Sequence, residues 1–380
     1  MKGLTFRWRP ALSRLLMVTV AVGVLLGLWA ATQRLGWALP TITAPLVGIH
    51  GSLMVALMGT LITLERTIAL VNLDRRYGWM ILAPLSTASG AIWLVVQGAQ
   101  PGALGLITLG SAGLGLIFVV ILRRHSALYT VTMALGAVSW LLGNLLWTSG
   151  QPVYEIVHLW IGFLVLTIVG ERLELARVRR LTRRSQQLFA LAVGLFLLGL
   201  GASVLTLDLG ARVIGVGEIA LALWLLRYDI ARRTIRSSGL PRYIAACLLI
   251  GYVWLGVGGG LAVGFGALYA GFQYDAFLHA ILLGFVMSMI FGHAPIIIPA
   301  LTGQTIPFAR WFYVPLGTLH TALAARVVSD LAAWTPGRMV GGLVNVIAVL
   351  LFLGVMVMTA GRARHAARPK LEHPLGSPAA

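Results

Sequence analysis

The sequence predicts an all-α integral membrane protein with about twelve transmembrane helices, and three observations carry that reading. Hydrophobic residues make up 59% of the 380 and charged residues only 11%, where a soluble domain carries about a quarter charged residues. Mean hydropathy is +0.91. Apolar runs of the roughly 20 residues that a spanning helix needs recur along the whole chain. Every second loop between them is basic and the alternate loops have almost no cations, the pattern of the positive-inside rule. A formal charge of +18 would suggest nucleic acid in a soluble chain. Here the arginines sit in short loops, so the excess is topological: no nucleic-acid partner is expected, and membrane lipid is the surrounding medium and partner.

The first span, 12–33, follows the basic stretch Lys2, Arg7, Arg9 and Arg14. No small-residue cleavage site follows it, so it reads as a retained helix and not as a signal peptide. Spans 44–71 and 79–98 flank Arg75 and Arg76. Span 102–123 ends on Arg123 and Arg124, and span 127–148 leads to the uncharged turn around Gly150. Span 153–177 ends in the densest basic cluster, Arg177, Arg179, Arg180, Arg183 and Arg184. Spans 187–206 and 211–228 precede Arg232, Arg233 and Arg236. Spans 242–270, 275–301, 309–332 and 338–361 complete the set, followed by Arg362, Arg364, Arg368 and Lys370. An even count with this alternation predicts both termini in the cytoplasm, in the cell's inner (cytoplasmic) membrane. No loop is long enough for a soluble domain, so residues 1–361 form a single polytopic unit. Residues 362–380, basic and Pro-containing, read as a disordered cytoplasmic tail. The single cysteine, Cys247, excludes an intramolecular disulfide and a Cys-ligated iron–sulfur cluster built from this chain alone. Trp79, Trp160 and Trp311, near span ends, fit interfacial anchoring. The glycines of GVGGG (256–260) let helices approach closely.

The candidate site residues are histidines. His50, His158 and His279 each stand near the start of an apolar run, in spans 2, 6 and 10, at near-regular intervals of roughly 110–120 residues. Imidazole is expensive in hydrocarbon, so each is a functional-site candidate by default. The recurrence divides the chain into three blocks of about four spans, a pseudo-threefold arrangement of four-helix arcs with ligands pointing inward. Neutral imidazole is a ligand that both heme iron and copper accept; the plainer alternative is a core histidine bonded to a neighbouring carbonyl. His293, in FGHAPIIIPA, lies fourteen residues after His279, about 21 Å along an ideal helix and within roughly 40° of it in angle. Pro295 and Pro299 free carbonyls there, so the segment should face protein or a cavity. His320 reads as a ligand, a proton carrier or a hydrogen-bond post. His158, His293 and His320 are the candidate metal ligands.

Three carboxylates are candidate proton-relay groups. Glu65 and Glu171 lie in the echoing pairs Glu65–Arg66 and Glu171–Arg172 at the ends of spans 2 and 6; an interfacial, salt-bridged role is the alternative. Glu218 sits deeper, in VGVGEIALALW. Arg326 and Asp330 are spaced to pair along span 11.

HGSLMV, beginning at His50, resembles the helix-two heme-ligand segment of the heme-copper oxidase catalytic subunit superfamily and its relatives such as the NnrS-like heme membrane proteins. The resemblance covers the span count and three ligand positions, His158 falling on the helix-six equivalent and His279 on helix ten. It implies twelve spans in three arcs, a heme b held by His50 and His279, with His158 and His293 further candidates, copper as a second cofactor, and a redox partner protein. Span 7, QLFALAVGLFLLGLGASVLTL, lacks the family's histidine pair, and His279 and His293 are not in the family's His-x-His spacing. These departures argue against oxygen reduction and leave redox or nitric-oxide-linked chemistry. The alternative function is a secondary transporter or metal permease using intramembrane histidines.

Overall fold

A computed structural model of the protein describes residues 10–176 and 181–366. It is all helix: α1 (Pro10–Arg34), α2 (His50–Leu73), α3 (Leu82–Gln97), α4 (Pro101–Arg124), α5 (Leu128–Thr148), α6 (Val153–Ala176), α7 (Arg183–Leu205), α8 (Leu207–Tyr228), the short α9 (Ala231–Thr234), α10 (Gly239–Phe265), α11 (Gly271–His279), α12 (Ser288–Thr302), α13 (Tyr313–Leu331) and α14 (Thr335–Ala366). A 3₁₀ turn, Arg75–Ile81, leads into α3. An eight-residue π-helix, Ala280–Met287, joins α11 to α12 in one continuous rod.

Eleven of these segments are long and apolar enough to cross a membrane among the described residues. The expected twelfth, α13, exists but is only 19 residues long and carries His320, Arg326 and Asp330. Its polarity is the physical reason the apolar count falls to eleven. It nevertheless runs the depth of the bundle: Tyr313 at its start packs edge-on against Tyr243 of α10, and Arg326 near its end bonds to Asp275 of α11. Large apolar side chains point outward, Leu205 at 88% exposure and Val357 at 74% among them. That is the inverse of a soluble surface, where apolar patches stay small.

Consecutive helices pack as hairpins, α3 with α4, α5 with α6, α7 with α8 and α13 with α14, while α1 touches both α2 and α14 and so joins the two ends of the chain. Small residues set the closest approaches. A Cβ on Gly210 would lie 2.2 Å from the backbone of Ser203, which is why one residue, Thr206, suffices to turn α7 into α8. Gly215 and Gly259 meet carbonyl to Cα between α8 and α10, so part of the GVGGG run acts as expected.

The histidine-bearing spans are the interior ones. Of the most apolar stretch of α6, 78% is buried, and 61% of those of α2 and of the α11–α12 rod, against 39% for α1, α4, α7 and α14. Three expectations shift. Helix α2 begins at His50, six residues later than expected, because residues 35–49 fold irregularly across the bundle end, held by Arg34 to the Val47 carbonyl (3.2 Å) and Thr43 to the Val95 carbonyl (2.8 Å). Trp160 is no surface anchor: it is 2% exposed and donates to Asn144 Oδ1 at 3.0 Å, whereas Trp79 and Trp311 are exposed. Helix α14 continues to Ala366, into the expected tail. The rest of that tail, the first nine residues and the cluster Arg177, Arg179 and Arg180 lie outside the described residues.

A histidine-lined cavity and its flanking charge networks

His50 opens α2 and His279 closes α11, and both line the same two adjoining cavities. The inner cavity, about 130 Å³, lies between α1, α2, α6, the α11–α12 rod, α13 and α14. Its walls are Leu, Val, Ile and Met, with Asn345 and Arg326 as polar exceptions. The second is a vestibule of about 300 Å³ toward the bundle end, lined by Arg34, Arg338, Asp275 and three tyrosines, Tyr154, Tyr269 and Tyr274. The two histidines stand at the junction.

Each ring is held in one tautomer. His50 donates from Nδ1 to the Gly27 carbonyl at 2.8 Å, and His279 from Nδ1 to the Asp275 carbonyl at 2.8 Å. A carbonyl oxygen only accepts, so Nδ1 carries the proton and Nε2 keeps its lone pair. Nε2 of neither ring makes a hydrogen bond among the described residues. Gly51, the next residue, lines both cavities as well, and a Cβ there would meet nothing within 4 Å.

Asp275 anchors the vestibule. Its carboxylate accepts from Arg326 Nε and Nη2 at 2.8 and 2.9 Å, from Arg338 at 3.4 Å, and lies 3.4 Å from His279 Nδ1. Arg326 therefore does not pair with Asp330 along α13. Asp330, fully buried, instead faces Arg338 Nε at 3.4 Å. Sequence spacing missed Asp275, Arg338 and Arg34, which come from three separate helices.

A second network lies at the opposite end of the bundle. Arg66 pairs with Glu171, so the two echoing Glu–Arg pairs of α2 and α6 face each other. Glu65 lies within electrostatic reach of Glu171 and His293. Arg172 makes a fork to Asp229, Nε to Oδ2 at 2.9 Å and Nη2 to Oδ1 at 3.0 Å. His293 donates from Nδ1 to the Met289 carbonyl at 2.7 Å, which leaves Nε2 to accept a long contact from Arg172 at 3.5 Å. His293 is thus part of an ion-pair network, away from the His50–His279 junction.

The remaining candidates stand apart. His158 is 4% exposed, packs against Phe277 with centroids 5.5 Å apart and lines neither cavity. His320 has both nitrogens engaged: Trp254 Nε1 donates to Nδ1 at 3.0 Å, and Nε2 meets Ser288 Oγ at 3.1 Å. Of its three sequence readings the hydrogen-bond post fits these contacts. Glu218 is fully buried beside the Gly215–Gly259 contact, and neither carboxyl oxygen finds a hydrogen-bond partner among the described residues. Among the described residues no three His, Cys, Asp or Glu side chains are grouped to hold a metal ion.

The site and fold together define a multi-pass all-α membrane protein with an interior cavity facing two imidazoles. The chain belongs to the family described as a domain of unknown function (DUF8744), whose model matches residues 13–361. No curated protein and no solved structure matches it.

Proposed function

We propose that this is a heme-binding protein of the inner membrane in which His50 and His279 hold one heme b, serving redox or nitric-oxide-linked chemistry and not oxygen reduction. The observation that carries the reading is the pair of imidazoles on α2 and α11, each with Nδ1–H tied to a carbonyl and Nε2 free at one cavity. Ligating histidines are held in that way, the second nitrogen's hydrogen bond fixing tautomer and ring orientation. The lining suits the same group, with apolar side chains for a macrocycle and Arg34 and Arg338 at the vestibule for its two carboxylates; the inner cavity of about 130 Å³ would have to widen to admit it. A heme held by His50 and His279 would supply one-electron transfer, for which a partner protein would be the other half. Copper needs several ligands; His158, His293 and His320 have separate surroundings, so the proposal is confined to heme. The pseudo-threefold, oxidase-like arrangement of arcs belongs to this reading as its architectural part, and Glu65 and Glu171 as its proton-relay part.

Protein purified in detergent from heme-sufficient cells should show a Soret band and split visible bands on reduction. A colourless preparation would sink the reading. It would favour a secondary transporter or metal permease, for which the π-helical stretch of the α11–α12 rod, its Pro295 and Pro299, and the open vestibule are the supporting features. The same reading places the vestibule on the outer side. Reporter fusions at Gln100, Gly150 and Tyr274 should report outside and fusions at Arg184 and Ser237 inside. These sites all precede α13, so they test the orientation independently of whether that polar helix crosses. Opposite results at any two would overturn it.

A further inference from the structure

We propose that the groove between α3 and α4 binds one anionic phospholipid, an acyl chain lying along the groove and its phosphate at the arginine corner formed by Arg75, Arg76, Arg123 and Arg124. The groove, about 460 Å³, is lined by Trp79, Ala83, Ser86, Leu106, Gly113 and Leu116 among others. Its floor is made of small residues; a Cβ on Gly113 would lie 2.4 Å from Ala83 Cβ. From Leu106 to Leu116 it runs about 15 Å along α4, half of a hydrocarbon core about 30 Å thick. It is therefore the depth of one leaflet.

The charge at its end selects the headgroup. Four arginines meet there, two from the 3₁₀ turn and two from the last turn of α4, against one acid, Asp74. Asp74 accepts from Arg76 at 2.8 Å and from Arg124 at 3.0 Å, which draws the two segments together. The Arg76 side chain and backbone amide hold the Asp74 carboxyl down to about 2, so it stays ionised at neutral pH and the corner keeps a net excess of three positive charges. Arg75 and Arg123 have no ion-pair partner among the described residues. Trp79, 54% exposed, stands between the corner and the groove, where an indole meets the headgroup level. A second lipid-facing groove, between α1, α2 and α3, is lined by Val18, Leu26, Leu57, Ile92 and Val96 and by no cation. It suits an acyl chain of any lipid; neither groove has a cation in its own lining, and of the two the α3–α4 groove adjoins the arginine-bearing 3₁₀ turn through Trp79 and Met80.

The test is native mass spectrometry of the intact protein, delipidated and re-equilibrated with phosphatidylglycerol or phosphatidylcholine of the same acyl chains. Wild type should retain one phosphatidylglycerol in preference to phosphatidylcholine by about tenfold or more, as expected for two unpaired arginines at a membrane surface. The double variant Arg75→Gln/Arg123→Gln, changed only at exposed positions, should lose that preference while still retaining phosphatidylcholine. Ser89→Phe, which fills the groove from its exposed side, should reduce retention of both lipids, with size-exclusion profiles confirming that each variant is folded. Equal retention of the two lipids by wild type, an unchanged preference in the double variant, or a lipid-independent dimer closing over this face would each overturn the proposal.

Discussion

Alanine at His50 or at His279 is expected to remove or shift the heme absorbance, while alanine at His158 leaves it unchanged. His50 and His279 come from helices far apart in the chain, and each is aimed by a backbone carbonyl 2.8 Å from its Nδ1. Loss of either imidazole would remove one of the two residues that would hold the heme. Loss of an outer-shell partner alone typically costs 10–100-fold in metal affinity, and loss of the ligand itself should cost more. His158 provides the contrast because it is buried against Phe277 and lines neither cavity. Soret absorbance per protein in the three purified variants decides the matter. If both His50→Ala and His279→Ala keep the wild-type spectrum, those residues are not the ligands. Asp275→Asn should act more subtly. The carbonyl that orients His279 remains, but the carboxylate 3.4 Å from Nδ1 and paired with Arg326 and Arg338 becomes neutral. Two cations then stand uncompensated beside the site and disfavour the oxidised form. The midpoint potential should rise, with a tenfold change in the reduced-to-oxidised ratio corresponding to about 59 mV for a one-electron couple.

The helices were legible in the sequence because a lipid-facing surface has to be apolar along its whole length. Residues 102–123 were expected for α4 and Pro101–Arg124 observed; 127–148 were expected for α5 and Leu128–Thr148 observed. His50 and His279 were legible for the complementary reason, since an imidazole in an apolar run stands out. What pairs with what was less legible. Spacing suggested Arg326 with Asp330, four residues apart, but the partner is Asp275, on another helix. Asp229 carries no local sign that it will close on Arg172. The echoing Glu–Arg pairs of α2 and α6 left a proton-relay and a salt-bridged role open in the sequence; in the fold Arg66 pairs with Glu171, across helices. The π-helix was invisible, because AILLGFVM contains neither proline nor a polar interruption. Its wider turns mean that the angle between His279 and His293, reckoned for an ideal α-helix, does not apply. Such segments recur at functional sites, and this one begins at the residue after His279.

Replacing Arg172 by methionine is expected to be among the most damaging single changes to folding. The Arg172 side chain is 3% exposed and that of Asp229 fully buried, and the guanidinium meets the carboxylate through two parallel bonds at 2.9 and 3.0 Å. Asp229 also accepts from the Ala231 amide at 2.7 Å, which starts α9 and turns the chain from α8 toward α10. Removing the arginine leaves a buried carboxylate with its main counter-charge gone, a situation that costs about 3–5 kcal/mol in proteins generally. His293, whose Nε2 faces Arg172, would lose its contact as well. Arg172→Lys should restore little, because an ammonium keeps the charge but not the planar fork. The double variant Arg172→Met/Asp229→Leu should recover much of the loss, since replacing both members of a buried pair by apolar groups is often neutral or stabilising. The exposed pair supplies the control: Arg76 is 84% exposed, and Arg76→Gln should leave thermal unfolding in detergent close to wild type. If Arg172→Met unfolds at the wild-type temperature with full yield, or if the double variant is no better than the single one, the Arg172–Asp229 fork is not what ties α6 to the α8–α9 turn.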